Sequence, residues 1–171
     1  MGNFLTIEAK SKIYELLFKL VGVEAGKEKD HPEVWALDHT YQCFKWAIRE
    51  SNDIDLILAA LLHDVGKAVD CKNHVHEGVK LIEGFSSRKT VWLVENHMRI
   101  WTYILGEMKG LKKCVEYAKH PWLPELIQLA RWDKKARKPN SSTFFPFDEI
   151  LRILDEKAAG HFTDLGDNKW M

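Results

Sequence analysis

The sequence predicts an all-α fold, a bundle of helices packed around one buried helix. Apolar residues recur at helical spacing along most of the chain, and no segment shows a convincing strand-like alternation. Residues 54–62 are apolar on nearly every face, which is typical of a helix buried on all sides. With 171 residues, 46% of them hydrophobic, the chain has the length of one domain with a substantial core. We therefore expect a single domain spanning residues 1–171.

The N-terminal third of the chain predicts two helices. Thr6 is a suitable cap for a first helix, whose apolar residues from Ile13 onward follow helical spacing. A polar loop covers residues 26–30, and the run His31-Pro32-Glu33 is expected to open the second helix. On that helix His39 shares a face with Trp35, Cys43 and Trp46, so its imidazole is expected to point into the core.

The buried helix of residues 54–62 leads directly into His63 and Asp64. Asn52 or Asp53 can cap its start, and Gly66 suits the left-handed residue that often ends a helix. A buried carboxylate needs a partner, because leaving it unpaired is too costly. A bound metal would satisfy both side chains, and so would a backbone carbonyl for His63 and an arginine for Asp64.

Further helices bring more polar residues to inward faces. A fourth helix begins at His74, and a fifth, capped by Ser86 or Ser87, is expected to continue through His97 to Trp101. Asp133 lies on the apolar face of a later helix, where a carboxylate is rarely buried alone. A C-terminal helix is expected at about 146–158, followed by a loosely held tail over 160–171.

Six side chains of metal-ligand type are thus predicted to face the core. They are His39, His63, Asp64, His74, His97 and Asp133. Four imidazoles and two carboxylates suit one or two divalent transition-metal ions, with manganese, nickel, cobalt, iron and zinc all compatible, and an aspartate can bridge a pair. His76 lies two residues after His74, so the spacing leaves open which of the two coordinates. His120 and His161 are interpreted as ordinary structural histidines.

Composition narrows the function classes. Lys+Arg and Asp+Glu are equal at 25 each, so nucleic acid is a possible partner that net charge does not indicate. The segment from Lys109 to Lys138, however, contains nine basic residues and only three acidic ones, which predicts a local basic surface. Three cysteines without CxxC spacing suggest free thiols in a reducing compartment. With neither a signal sequence nor an apolar stretch of membrane-spanning length, a cytoplasmic location and no membrane partner are expected.

The order of these residues resembles the HD-domain superfamily of metal phosphohydrolases. His39 precedes His63-Asp64-Val65-Gly66-Lys67, then His74 stands four residues before Gly78, and His97 and Asp133 follow. Within the superfamily, the segments around residues 31–40, 62–67, 78–81 and 91–97 and the Asp133…Arg137 spacing look like the HD domain of bacterial tRNA nucleotidyltransferases. The resemblance covers about residues 31–138, which form the motif core.

The resemblance implies a metal at the centre of a helical fold and hydrolysis of a phosphate ester. It implies a first metal held by His39, His63, Asp64 and Asp133, with His74 and His97 holding a second. Asp64, Lys67 and Arg137 are the expected catalytic residues, Lys67 and Arg137 through contacts to phosphate. The expected substrate is a small phosphate ester, such as a nucleotide or a 2′,3′-cyclic nucleotide.

Two alternatives stay open. The same ligand set resembles that of di-iron oxygenases with this fold, and an intact fold can also serve as a non-catalytic module that binds a phosphorylated ligand. The chain has no room for a nucleotidyltransferase domain and lacks the Gly-Tyr-Pro signature of cyclic-di-GMP hydrolases, so the resemblance leaves the substrate undetermined.

Overall fold

The computed structural model describes residues 5–160, which fold almost entirely into helices. Between these residues the chain forms nine α-helices and a short 3₁₀ helix, and the only β-type pairing is an isolated bridge between Glu24 and Trp35. The α-helices are α1 Ile7–Lys19, α2 Ala36–Glu50, α3 Ile54–Leu62, α4 His74–Ile82, α5 Arg88–Asn96, α6 Arg99–Ile104, α7 Leu111–Ala118, α8 Leu123–Lys135 and α9 Phe147–Ala158. The predicted all-α class is confirmed. Whether residues 1–171 form a single domain remains a prediction.

Helix α3 is the centre of the fold. All seven residues from Leu56 to Leu62 are buried, and the helix packs against α2, α5, α8 and α9. The Asp53 side chain caps its start by accepting hydrogen bonds from the backbone N–H groups of Asp55 (3.0 Å) and Leu56 (3.4 Å). Burying each large aliphatic side chain contributes about 2 kcal/mol. The fold therefore holds the C-terminal end of α3 rigidly in the interior.

The predicted left-handed cap at Gly66 is wrong. Gly66 is not among the residues with positive φ; it lies instead within a 3₁₀ helix, Val65–Ala68, that follows His63 and Asp64. Its role is close packing, because a Cβ at this position would lie 1.9 Å from the carbonyl oxygen of His74. The 3₁₀ helix and the start of α4 are consequently in direct contact.

Two predicted helix boundaries also differ. Helix α2 begins at Ala36, because His31, Pro32 and Glu33 belong to a loop closed by a hydrogen bond from the N–H of Ala25 to the carbonyl of Val34 (2.8 Å). Beyond α4, the predicted continuous fifth helix is split into α5 and α6 at His97 and Met98. The break leaves Met98 48% exposed while His97 is buried.

The ends of the fold are held by α1 and α9, which pack against each other. Thr6 caps α1 as predicted, with its hydroxyl accepting from the N–H of Ala9 at 3.0 Å. Lys10 of α1 forms an ion pair with Asp155 of α9 at 2.9 Å. The expected loose tail lies outside the described residues except for Gly160. Among the helices described, none combines the length and apolar character needed to cross a membrane.

Candidate metal centre

Four side chains from two helices and the segment after α3 converge on one buried point. They are His39 of α2, His63 and Asp64 after α3, and Asp133 of α8. Nε2 of His39 lies 3.3 Å from Nε2 of His63 and 3.0 Å from Oδ1 of Asp133. Oδ2 of Asp64 lies 3.4 Å from Nε2 of His63 and 3.8 Å from Nε2 of His39. We name these four side chains the first cluster.

A second cluster lies on the other side of Asp64. Its second oxygen, Oδ1, lies 3.5 Å from Nε2 of His74 and 3.8 Å from Nε2 of His97. The two Nε2 atoms are 3.3 Å apart. Asp64 thus directs one carboxylate oxygen to each cluster, which is the geometry of a bridging ligand.

All four imidazoles are oriented by backbone carbonyls. Nδ1 contacts the carbonyl oxygen of Ala136 for His39 (3.0 Å), of Ala60 for His63 (2.9 Å), of Cys71 for His74 (3.0 Å) and of Val94 for His97 (2.6 Å). A carbonyl only accepts, so each Nδ1 carries a proton. The Nε2 lone pairs of the neutral rings then face one another and the carboxylates.

This arrangement fits a metal. Facing Nε2 lone pairs only 3.3 Å apart, as in His74 and His97, repel unless a cation lies between them. Histidines that bind metal through one nitrogen usually donate the other N–H to a carbonyl or carboxylate, as all four do. Two groups with metal-ligand spacing share Asp64: one holds His39 and His63, the other His74 and His97. Asp133 adds a second carboxylate to the first cluster.

The electrostatics keep the carboxylates charged and most of the imidazoles neutral. Burial alone would raise the pKa of Asp64, but His63, Lys67 and the other imidazoles hold it well below its usual value. Burial would also raise the pKa of Asp133, but the hydrogen bond to His39 keeps it well below its usual value. Burial lowers the pKa values of His63 and His74, and lowers that of His97 to about 4.

His39 behaves differently from the other three histidines. Burial favours its neutral form, yet hydrogen bonds to Asp133 and Glu33 raise its pKa to about 9. A proton on Nε2 of His39 points at Asp133 and therefore lies where the first cluster would hold a cation. The high pKa of His39 thus reflects the negative charge concentrated at this point.

Lys67 lies at the metal centre but is not solvated. Its side chain is 5% exposed, and Nζ forms an ion pair with Oδ2 of Asp64 at 2.7 Å. It also donates to the carbonyl oxygen of Ala25 at 2.6 Å. The 3₁₀ helix places Lys67 one turn after Asp64, and this spacing produces the contact.

A cavity of about 510 Å³ opens onto both clusters. Asp64, His74, His97 and Asp133 line its floor, while His39 and His63 lie behind them. Its wall also carries cationic and apolar side chains, namely Lys27, Lys67, Lys134, Arg137, Met98 and Trp101.

Arg137 joins the mouth of this cavity to the first cluster. Its guanidinium lies 3.4 Å from Oδ1 of Asp133 and donates to the carbonyl oxygen of Asp30 at 3.2 Å. With about a third of the side chain exposed, it can meet a ligand in the cavity.

His76 and His120 lie apart from the clusters. His76 is exposed and lines a different surface cavity with Lys72 and Glu95, whereas His74 reaches the second cluster. His120 stacks on Trp92 with ring centroids 3.7 Å apart. His161 lies outside the described residues.

Of Trp35, Trp101 and Trp132, only Trp101 lines the cavity. Trp132 is fully buried, with its indole N–H donating to Glu50 at 2.7 Å, and Trp35 caps α2 on the surface.

Sequence patterns did not point to Glu33, Met98 or Lys134. Glu33 follows a polar loop, and no helical or strand-like periodicity includes it. Its importance comes from a contact that the folded loop makes, in which its carboxylate lies against His39. Met98 and Lys134 are adjacent to ligand-type residues in sequence, and that adjacency is the one signal that could have suggested them.

A family model described as the HD domain matches residues 36–138, more than half of the chain. The chain belongs to the HD-domain family. HD domains bind divalent metals, and most members of their superfamily are metal-dependent hydrolases of phosphate esters. The matched span runs from the first residue of α2 to just beyond Arg137, so it contains both clusters. The particular resemblance to tRNA nucleotidyltransferases remains a prediction.

Proposed function

We propose that this HD-domain protein hydrolyses a small phosphate ester, such as a nucleotide or a 2′,3′-cyclic nucleotide. The observation that carries the proposal is the cavity itself. Its floor holds carboxylate and imidazole donors, and its wall carries Lys67, Lys134 and Arg137. Metal donors facing several cations suit a phosphoryl group, whose oxygens bind both metals and basic side chains.

The donor sets support two metal positions. His39, His63, Asp64 and Asp133 would hold the first, and His74, His97 and the second oxygen of Asp64 would hold the other. Histidine-rich sets of this kind suit manganese, nickel, cobalt, iron or zinc. Bound there, such ions polarise phosphoryl oxygens and lower the pKa of water towards about 7.

The chain's own residues orient the substrate and balance charge. Lys67 partly neutralises Asp64 and holds the carboxylate in position, and it is also one of the residues that line the cavity. Arg137 and Lys134 at the mouth can bind phosphate oxygens that point away from the floor. Hydrolysis forms a bond from a water oxygen to phosphorus and breaks the ester P–O bond, and the leaving alcohol takes up a proton.

The apolar part of the wall supports an organic ester. Met98 is about half exposed and Trp101 is partly buried beside the second cluster. Aromatic and thioether side chains suit packing against a planar base or another apolar group. A nucleotide with its phosphate on the floor could place its base against this wall.

The test is a substrate screen with a matched inactive variant. Protein loaded with Mn²⁺, Ni²⁺, Co²⁺, Fe²⁺ or Zn²⁺ is assayed for phosphate release from nucleoside monophosphates and for opening of 2′,3′-cyclic nucleotides. We expect turnover of at least one ester class and none with Asp64→Ala. If no metal form acts on any phosphate ester, the hydrolase proposal is wrong.

A di-iron oxygenase is the second candidate. The bridging position of Asp64 between two histidine-containing clusters favours it, because such dinuclear sites also suit iron. A hydrolase should act equally well with and without oxygen, since water supplies the nucleophile. Activity that requires oxygen, with mixed-valence iron after partial oxidation, would replace the hydrolase with the oxygenase.

A further inference from the structure

We propose that Glu33 is a positioning residue for His39, and that His31 extends this contact to the wall of the cavity. The proposal rests on the metal centre of the proposed function. Oε1 of Glu33 lies 2.8 Å from Nδ1 of His39 and 2.8 Å from Nδ1 of His31. One carboxylate oxygen thus connects a cluster histidine with a residue that lines the cavity.

Glu33 is buried in a position where an unpaired carboxylate would be costly. It is 5% exposed, and its other oxygen, Oε2, is buried with no hydrogen-bond partner among the described residues. A buried carboxylate with one unsatisfied oxygen is expensive. Positive charge at His39 or at a metal bound to it would offset that cost.

This contact distinguishes His39 from the other three cluster histidines. Nδ1 of His63, His74 and His97 contacts a backbone carbonyl in each case, whereas Nδ1 of His39 faces both the Ala136 carbonyl and the Glu33 carboxylate. A carboxylate behind a ligating imidazole fixes the ring and strengthens its nitrogen as a ligand. We therefore expect the first cluster to hold its metal more tightly than the second.

The loop that carries Glu33, residues 25–34, is attached to the metal centre at two further points. Lys67 donates to the carbonyl of Ala25 at 2.6 Å, and Arg137 donates to the carbonyl of Asp30 at 3.2 Å. Val34, next to Glu33, has φ of 69°, a strained conformation for a β-branched residue. Such strain persists only where surrounding contacts enforce it.

The loop also leaves room for His31. A Cβ on Gly26 would lie 2.7 Å from Cδ2 of His31, so a larger residue at position 26 would push the ring from its place. Gly26 and His31 both line the cavity. The packing therefore holds His31 between Glu33 and the space where a substrate would lie.

The experiment measures metal affinity rather than activity. Zn²⁺ is titrated into the metal-free protein against a chromophoric chelator, and two binding constants are fitted. Glu33→Gln should weaken the tighter constant by about 10- to 100-fold, the usual effect of losing such a partner, and leave the weaker one unchanged. Glu28→Gln makes the same charge change at an exposed position of the same loop and should alter neither.

Each outcome is decisive. Wild-type protein that binds no Zn²⁺ would reject the metal centre itself. Glu33→Gln with wild-type constants, or with both constants reduced equally, would overturn the role of Glu33 while the metal centre stands. His31→Ala should weaken the tighter constant by a smaller factor, and unchanged affinity would remove His31 from the proposal.

A measurement on wild-type protein covers the case in which Glu33→Gln does not fold. In the Zn²⁺-loaded protein with ¹⁵N-labelled histidines, the proton NMR signal of the Nδ1–H group of His39 should lie downfield of those of His63, His74 and His97. The reason is that a hydrogen bond to a charged carboxylate is stronger than one to a carbonyl. Four equivalent shifts would mean that the Ala136 carbonyl alone orients His39.

Discussion

At the scale of single residues, the centre depends on how Asp64 divides its two oxygens. Oδ2 faces His39 and His63, whereas Oδ1 faces His74 and His97. Loss of Asp64 therefore removes a donor from both clusters, while loss of His97 removes one from the second cluster only. The two substitutions should have different effects on metal stoichiometry.

We predict that Asp64→Ala retains essentially no metal and that His97→Ala keeps one ion. Elemental analysis of proteins expressed with excess metal measures this directly. Wild type should carry one or two ions, and His76→Ala, at an exposed histidine outside the clusters, should match wild type. A His97→Ala protein that loses all its metal would show that the two clusters do not bind independently.

Lys67 offers a second test at this scale. Lys67→Ala should lower turnover by about 10- to 1,000-fold, the range for losing one preorganised charge. Because Lys67 is buried against Asp64, the variant should also lose about 2 kcal/mol of stability when metal-free. Kinetics and urea unfolding measure the two effects, with Lys72→Ala, an exposed lysine outside the cavity, as control.

Lys67→Arg should recover only part of the activity, because a planar guanidinium does not replace a compact ammonium. Turnover by Lys67→Ala within twofold of wild type would exclude a substrate contact.

At the scale of elements, the contact between the 3₁₀ helix and α4 sets the distance between the two clusters. Gly66 permits this contact, since a Cβ there would lie 1.9 Å from the His74 carbonyl oxygen. The obstacle is backbone, so rotating a side chain cannot relieve it. His74 and Asp64 are on opposite sides of the contact, and forcing it apart separates Asp64 from the second cluster.

Gly66→Ala should therefore destabilise the protein by about 3 kcal/mol, at the upper end for overpacking, and weaken the second metal. Gly84→Ala is the matched control, because nothing lies within 4 Å of the Cβ position there. That control should be neutral or slightly stabilising. Unfolding curves that place Gly66→Ala within 0.5 kcal/mol of wild type, on the order of an ordinary surface change, would refute the close packing.

Sequence periodicity predicted elements and inward faces better than boundaries and contacts. Asp133 and the ligand-type histidines on helices could be placed because apolar neighbours at helical spacing showed which way they faced. The start of α2 could not be predicted in this way, because hydrogen bonds hold the loop before it. The donors are the N–H of Ala25, which belongs to no periodic pattern, and Arg137, which is distant in sequence. Glu33 was missed for the same reason, and Gly66 was assigned to a helix end when its constraint comes from α4.

At the scale of the whole molecule, the charge of the buried centre couples stability to pH. In metal-free protein His63, His74 and His97 have lowered pKa values, so the unfolded chain binds more protons below about pH 6.5 and stability rises with pH in that range. His39 has the opposite sign. Its pKa of about 9 means that the folded protein binds more protons between the unfolded value of 6.5 and 9, so its contribution is lost as pH rises through that window.

We predict from this that the first metal competes with a proton on His39. At pH 7.5, binding should release about one proton per ion, because Nε2 must be deprotonated to act as a ligand. Isothermal titration calorimetry in buffers of different ionisation enthalpy counts the protons. Affinity should rise with pH up to about 9, while the metal-loaded protein should lack the decline in stability that the metal-free protein shows between pH 6.5 and 9.

The comparison is Glu33→Gln, which removes one of the three carboxylates that raise the pKa of His39 and should release less than one proton under the same conditions. The pH dependence of stability and the calorimetric proton count then both test whether His39 is protonated in the metal-free protein. Metal binding that releases no proton at pH 7.5, together with metal-free protein that gains stability from pH 7 to 8.5, would mean that His39 is already neutral. In that case Asp133 would have to draw its charge balance from His63 and Arg137 instead, the other groups close to it.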